Sequence, residues 1–391
     1  LPTFHTKQIS KDFKSENNHD SRQIRVLIID GGRHRVYSGY GHVAQCLAIA
    51  LARNPHLKVQ ILDNNKQWEY EGIYQEELKS IDCVNNLDHC DLVLQIGPPQ
   101  SFKKYQKPCM FFTLCDQSDL DDRDIIAMKE VDAIITASSS GLSVFNKYFP
   151  KVYVTPLPVD SQIFKPMPRW RSEGSDCFSF IFVGSFSFRK GVDLLVEAFF
   201  QEFSWQEVNL HLHCPGDKAD EIGNFLIKKS QEHNKPPMCS FSTKSLHPAW
   251  VNRFYNRADA FVSFTRGEGW GLPIAEAMLC DLPVIAPLST SMLDYLTNDV
   301  AFCLPTKEKL VSDISDPFGQ NFKASHSGSY YEIDLQEARK CLRDVWSNKE
   351  LAIEIGKKGR VHMNENFSFE RFSNCLHQAI VDFTKSIATY V

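Results

Sequence analysis

Residues 260–279 read Ala-Phe-Val-Ser-Phe-Thr-Arg-Gly-Glu-Gly-Trp-Gly-Leu-Pro-Ile-Ala-Glu-Ala-Met-Leu. Ala260–Phe264 is mostly apolar and aromatic, the pattern of a strand buried on both faces. Gly267, Gly269 and Gly271 follow, and Leu272–Leu279 then reads as a helix with Pro273 suited to its first turn. Strand, glycine-rich turn and helix make part of a βαβ unit. A chain built of such units folds as a doubly wound parallel sheet.

The unit recurs in both directions. Downstream, Pro283–Ala286 is the next strand. Upstream, Phe178–Val183 ends at Gly184-Ser185, and Arg189-Lys190-Gly191 leads into the helix Val192–Phe200. Asn209–His213 and Met238–Phe241 are further strands, and Ala249–Asn256 is a helix. The pattern also occupies the start of the chain. Ile24–Asp30 (IRVLIID) ends in Gly31-Gly32, and Ser38-Gly39-Tyr40-Gly41 precedes the helix Val43–Ala52. Lys58–Leu62, Asp91–Ile96, Cys109–Thr113 and Asp132–Ala137 are strands. Between the two sets, Val152–Arg171 carries Pro156, Pro158, Pro166 and Pro168 and reads as a linker.

The chain therefore predicts an α/β fold of two Rossmann-like halves. Its 391 residues exceed the ~250–300 at which single cores stop growing. The expected divisions are a mobile arm over 1–23, a first domain over 24–165, a second over 166–366 and a final helix over 367–391. Asp316–Tyr331 is polar and reads as an exposed loop. Ser368 can cap the final helix, whose Phe372, Leu376, Ile380, Phe383 and Ile387 form one apolar stripe. That stripe fits either a cover for the second half or a helix that crosses back to the first.

Composition excludes several classes. Forty-three basic against 48 acidic residues leave a net charge of −5, without the basic excess of a duplex-binding protein. No apolar run approaches the ~18–20 residues of a membrane span, and Leu1–Arg25 lacks a signal-peptide core. Twelve cysteines include no CxxC pair. Cys46, Cys177, Cys214, Cys280 and Cys303 lie in apolar runs, as buried free thiols of a reducing, cytoplasmic compartment would. Phe102-Lys103-Lys104-Tyr105-Gln106-Lys107 mixes aromatics with cations, as peripheral membrane contacts do, and a solvated loop is the competing reading. The number of subunits is not legible.

The chemistry gathers at the carboxyl ends of strands, where open α/β sheets bind ligands. The helix beginning at Leu272 offers free N–H groups and a partial positive charge to a phosphate. Glu268 and Glu276 do not bind phosphate; carboxylates accept hydrogen bonds from hydroxyls. Phosphate donors beside hydroxyl acceptors describe a nucleotide-sugar site. A glycine-rich turn with two solvated glutamates is the bland alternative. Arg189 and Lys190 occupy the equivalent loop after Gly184, and cations there would stabilise the charge on a departing pyrophosphate. A solvated surface pair is the alternative. Ser38–Gly41 either admits a phosphate or acceptor or simply turns the chain into its helix. Asp119, Asp121 and Asp122 read as helix N-terminal charge, so neither a metal ion nor a cofactor is expected.

Glu268 and Glu276 form an E-x7-E pattern, set in Glu-Gly-Trp-Gly-Leu-Pro and Glu-Ala-Met. Pro156–Phe164 (PLPVDSQIF), Phe254–Asp259 (FYNRAD) and Phe367–Phe372 (FSFERF) accompany it in order. The chain thereby resembles, over residues 24 to 390, the retaining GT-B glycosyltransferases of the large E-x7-E nucleotide-sugar family, family 4 type. The resemblance implies a GT-B fold whose last helix crosses back to the first domain. It implies a UDP- or GDP-type donor on the second domain and a hydroxyl acceptor on the first. By it, Glu276 holds the ribose hydroxyls, Glu268 faces the donor sugar, and the Gly269-Trp270-Gly271-Leu272 backbone contacts sugar and phosphate. Lys190 neutralises the leaving diphosphate, with Arg189 as its partner because Ser185 stands where the family's other cation is common. Gly184, Ser185, Gly216, Gly39 and Gly41 complete the expected donor-binding set. Leu94–Pro99 lacks the family's frequent first-domain histidine, and Asp294 stands where a glutamate is frequent near the phosphate loop. A catalytically inactive nucleotide-sugar-binding scaffold, and a phosphorylase, epimerase or hydrolase of the same fold, are the alternatives.

Overall fold

The computed structural model describes residues 23–35, 38–63, 75–88, 90–168, 177–205, 208–313, 316–319 and 327–388. The expected N-terminal arm falls, but for Gln23, outside the described residues. Two parallel sheets organise the rest. The first contains β1 (Ile24–Ile29), β2 (Leu57–Leu62), β3 (Asp82–Val84), β4 (Leu92–Ile96), β5 (Cys109–Phe112), β6 (Ala133–Thr136) and β7 (Val152–Val154), in the order β3-β2-β1-β4-β5-β6-β7. The second contains β8 (Phe178–Val183), β9 (Val208–His213), β10 (Met238–Ser242), β11 (Ala260–Val262), β12 (Val284–Pro287) and β13 (Phe302–Leu304), in the order β10-β9-β8-β11-β12-β13. Strand order reverses beside β1 and beside β8, the two places where such sheets open a crevice.

Apolar runs explain the central strands. Leu92–Ile96 and Cys109–Phe112 are buried at every residue, as strands covered on both faces must be. The helix Gly39–Ala52 is buried at every residue from Val43 to Leu51. A helix apolar all round needs two partners. One is the first sheet. The other is the last helix, Phe369–Ala388, whose Phe372, Leu376, Ile380 and Phe383 join the same apolar cluster as Val43, Leu47 and Leu51. Polar contacts fix it there: Ser373 Oγ donates to the Ala50 carbonyl at 3.4 Å, and Lys151 Nζ donates to Ser386 Oγ at 3.0 Å.

Four expectations need correction. The start of the proposed linker is β7, hydrogen-bonded to β6 in the first sheet. Its prolines follow the strand rather than replace it. The segment 316–331, read as an exposed loop, ends in a strand. Thr306–Leu310 (β14) and Ser329–Ile333 (β15) form an antiparallel hairpin, with Tyr330 buried. That hairpin straps the halves together: Tyr331 N donates to the Arg266 carbonyl at 3.1 Å, and Ser329 N to Ser118 Oγ of the first half at 2.7 Å. Phe102 is buried with its ring 5.4 Å from that of Phe111, so it is not presented to a membrane. Asp294 does not serve the phosphate loop. It accepts from Ser139 N at 2.8 Å and from Ser139 Oγ, at the start of the first-half helix Ser139–Phe145. Among the described residues no helix is long and apolar enough to cross a membrane. All twelve cysteines are free thiols.

Candidate active site in the cleft between the sheets

The carboxyl ends of the two sheets face each other across a cleft of about 830 Å³. That is the size of site that holds a drug-sized ligand, a class that includes nucleotides. From the first half it is lined by Gly39 and Tyr40, by Pro98–Gln100 after β4, and by Leu114–Gln117 after β5. From the second half come Gly184 and Ser185 after β8, Arg189, Lys190, His213 at the end of β9, Glu268–Pro273 and Glu276. Of the expected site residues, Gly41 and Gly216 do not reach the cleft lining. Gly41 is buried in its helix and donates to the capping Ser38 Oγ at 3.0 Å. Gly216 sits in an exposed turn and donates to the Thr243 carbonyl at 2.9 Å.

Charge concentrates at one point. Lys190 Nζ donates to Glu268 Oε1 at 2.6 Å, and Arg189 Nη1 to Glu268 Oε2 at 3.3 Å. Arg189 Nε meets Asp116, from the first half, at 3.0 Å. Burial would push the Glu268 carboxyl up, but Lys190 and Arg189 outweigh it and hold the group below its ordinary value. It is therefore a carboxylate throughout the neutral range. Its backbone is pinned as well: Glu268 N donates to Thr290 Oγ1 at 3.0 Å. Thr290 holds a φ of +46°, a strained value for a β-branched residue, such as clusters at functional sites. Arg266, two residues earlier, takes no part in the cleft. It donates to Asp193 through both terminal nitrogens, at 2.8 and 2.9 Å, reaches Glu332 at 3.1 Å, and lies 3.8 Å over the Phe188 ring.

The second glutamate is set by the helix. Leu272–Leu279 starts from Gly271, at φ +87°, and places Glu276 one turn inside. Tyr255 OH donates to Glu276 Oε2 at 2.8 Å. The Trp270 indole turns away from the cleft. It is buried between Tyr295 and Phe367, at 5.3 and 5.5 Å, so only its backbone is left for a ligand.

The glycines of the loop have a second use. A Cβ on Gly267 would lie 2.0 Å from the Asp116 carbonyl oxygen, and one on Gly269 would lie 2.8 Å from the Leu114 Cβ. Both neighbours belong to the first half. These glycines are required for the two halves to meet, besides any approach to a ligand.

Sequence reasoning gives no role to many lining residues, from Gln100 and Leu114 to Leu246, and three of them stand out. Asp116 is one. Tyr40 is the second: its OH accepts from Leu114 N at 3.3 Å, and burial pushes the phenol up to about 12. His213 is the third, a histidine closing a strand, which is the one sequence signal that points to it. Burial, and then the charge of His211, lower its imidazole to about 4. The unfolded chain takes up that proton near pH 6.5, while the folded chain refuses it until about 4. Stability from this group is thus complete above pH 6.5 and is lost as pH falls toward 4. Melting curves at stepped pH should show a shallower acid slope for His213→Phe than for the wild type; equal slopes would contradict this.

Among the described residues one side-chain group has metal-binding geometry, Glu197, Glu232 and His233. It lies outside the cleft, and Lys229 Nζ already bonds both carboxylates, at 2.7 and 2.8 Å. Asp121 caps its helix, accepting from Asp124 N at 2.8 Å.

Residues 177–316 match the family described as Glycosyl transferases group 1. Over 106 residues the chain is 32% identical to an uncharacterised glycosyltransferase of Methanocaldococcus jannaschii, covering 27% of each chain. Over 107 residues it is 31% identical to the serotype-specific mannosyltransferase WbdA of Escherichia coli, covering 27% of this chain and 13% of WbdA. The chain thus spans about a quarter or less of the length of these relatives. Among solved structures it is similar to sucrose-phosphate synthase from Thermosynechococcus elongatus, with a TM-score of 0.66 at 15% identity, covering 93% of this chain and 100% of that one. It is also similar to HepE of Anabaena in complex with UDP and glucose, with a TM-score of 0.63 at 13% identity, covering 92% and 100%. With the two facing parallel sheets, these likenesses show a GT-B fold.

Proposed function

We propose that this chain is a retaining glycosyltransferase that moves a sugar from a nucleoside diphosphate sugar to a hydroxyl acceptor. One observation carries the reading. Lys190, Arg189 and Glu268 converge within hydrogen-bond distance in the same cleft that holds Glu276 and the start of the Leu272 helix. The match of residues 177–316 to a glycosyltransferase family covers this part of the chain and supports it. WbdA is named for mannosyl transfer, and HepE was solved with UDP and glucose. Both names fit a donor of this class.

The mechanism follows from the charges. Glu276 accepts from the ribose hydroxyls, and Glu268 from hydroxyls of the donor sugar. The bond from the sugar's anomeric carbon to the diphosphate oxygen breaks. Lys190, Arg189 and the helix N–H groups take up the charge left on the diphosphate. The acceptor oxygen attacks from the same face, and its proton passes to the departing diphosphate. Before a donor arrives, Glu268 and Asp116 hold the two cations in place. The diphosphate competes with Glu268 and Asp116 for those cations, and the helix N–H groups add donors for the charge it brings.

The test is a panel of nucleoside diphosphate sugars, followed by thermal shift and then by product formation. A ligand that binds only the native state raises its melting temperature. Glu276→Ala should weaken donor binding by about tenfold or more, since it leaves ribose hydroxyls without a charged acceptor. Calorimetric titration measures it. Wild-type affinity in that variant, or no shift with any donor, overturns the reading.

A further inference from the structure

We propose that His213 reads the base of the donor nucleotide, through a hydrogen-bond chain that runs back to Ser240; this rests on the nucleotide-sugar reading of the cleft. The sheet orders the pieces. Going outward from β11, whose loop carries Glu268, come β8, whose loop carries Lys190, and then β9, which ends at His213. Two strand spacings of about 4.8 Å separate β9 from β11. Diphosphate and ribose bridge such a span, which leaves the base over β9. The helix Pro248–Arg257 joins the two ends: Tyr255 donates to Glu276, while the Phe254 ring stacks on His213 at 5.0 Å and 19°. Leu246 and Val251 supply apolar wall to the same cleft.

His213 is only 1% exposed, yet its Nε2 has no hydrogen-bond partner among the described residues. A buried nitrogen left so is costly unless something meets it. The other ring nitrogen is engaged. Ser242 Oγ lies 2.8 Å from His213 Nδ1 and 3.0 Å from His211 Nε2, and His211 Nδ1 lies 2.9 Å from Ser240 Oγ.

This chain has two polarities, because Ser242 has one hydroxyl proton to give. When Ser242 donates to His213 Nδ1, the His213 proton sits on Nε2, which then donates to a base carbonyl. Ser242 in turn accepts from His211 Nε2–H, and Ser240 donates to His211 Nδ1. When Ser242 donates to His211 Nε2 instead, His213 Nδ1–H donates to Ser242. Nε2 then accepts from a base N–H, and His211 Nδ1–H donates to Ser240. The imidazole stays neutral in both states, since burial and His211 lower its proton affinity. His213 thus fits itself to the edge the base presents, while Phe254 holds its plane.

The experiment titrates the full chain calorimetrically with UDP, GDP, ADP and inorganic pyrophosphate. In His213→Phe, which keeps the stack and removes both nitrogens, affinity for the tightest nucleotide should fall about tenfold, the worth of one buried hydrogen bond. Affinity for pyrophosphate should not change. Should that variant fail to fold, the pair at Ser242 carries the test. Ser242→Ala should lose part of the same nucleotide affinity, with pyrophosphate unchanged, and Ser242→Thr, which keeps the hydroxyl, should regain it. Unchanged nucleotide affinity in His213→Phe, equal losses for nucleotide and pyrophosphate, or no recovery in Ser242→Thr overturns the role of His213 and leaves the nucleotide-sugar reading standing. A wild type that binds no nucleotide more tightly than pyrophosphate overturns both.

Discussion

Replacing Lys190 by alanine should lower kcat by about 10²–10³-fold, the usual cost of deleting one donor to a developing anion. The Lys190 side chain is 12% exposed and its ammonium sits 2.6 Å from Glu268, in surroundings that screen it little. Its loss removes half the cationic charge offered to a leaving diphosphate. It also leaves Arg189, at 3.3 Å, as the one cation on Glu268 among the described residues. Breaking a buried pair from one side costs up to about 3–5 kcal/mol, and the remaining guanidinium reduces that here. Two readouts separate the effects. Steady-state kinetics well below the melting temperature report the catalytic loss, and the melting temperature itself reports the structural one. A variant that melts early but turns over at the wild-type rate would make Lys190 a structural residue.

Gly267→Ala should be nearly as damaging for a different reason. The added Cβ would lie 2.0 Å from a backbone oxygen, that of Asp116, which cannot rotate away. The two halves must part at this contact. The Arg189–Asp116 pair at 3.0 Å stretches with them. Displacement of about 1 Å in a reacting pair costs on the order of 10²-fold in rate, so kcat/KM should fall at least that far. The sheets themselves are untouched, so the melting temperature should hold while small-angle scattering shows a larger radius of gyration. Wild-type kinetics with unchanged scattering would refute the tight approach.

The same glycine marks the limit of what is legible in the sequence. Strands buried on both faces announce themselves as apolar runs, and Ile24–Ile29, Phe178–Val183 and their neighbours are found within a residue or two. Strands β3, β7 and β13 are missed. Each is three residues long and lies at a sheet edge, where one neighbour suffices and no apolar run is needed. The hairpin strand at Ser329–Ile333 is missed because its residues, Ser-Tyr-Tyr-Glu-Ile, make no apolar run and follow a polar stretch, although none of them is exposed. The site divides in the same way. Glu268, Glu276 and Lys190 share local strand–loop–helix motifs, so spacing alone brings them forward. Tyr40 and His213 stand at a turn and a strand end that the sequence marks, yet no spacing singles them out, and Asp116 meets Arg189 only once the halves pack. Gly267 shows its close contact only once both halves are placed. Trp270 looks like a ligand contact by its place in the loop, and its indole serves the core.

The docking of Phe369–Ala388 on the helix Gly39–Ala52 also fixes a timetable. A ribosome finishes the first sheet by residue 154, but the segment that covers its apolar helix emerges more than two hundred residues later. At roughly 5–20 residues per second, that wait is on the order of 10–50 s. Throughout it the nascent first half shows a greasy helical face that invites chaperones and, without them, self-association. Clipping the chain before residue 369 would make that state permanent. The damage would appear in the half most distant in sequence from the cut.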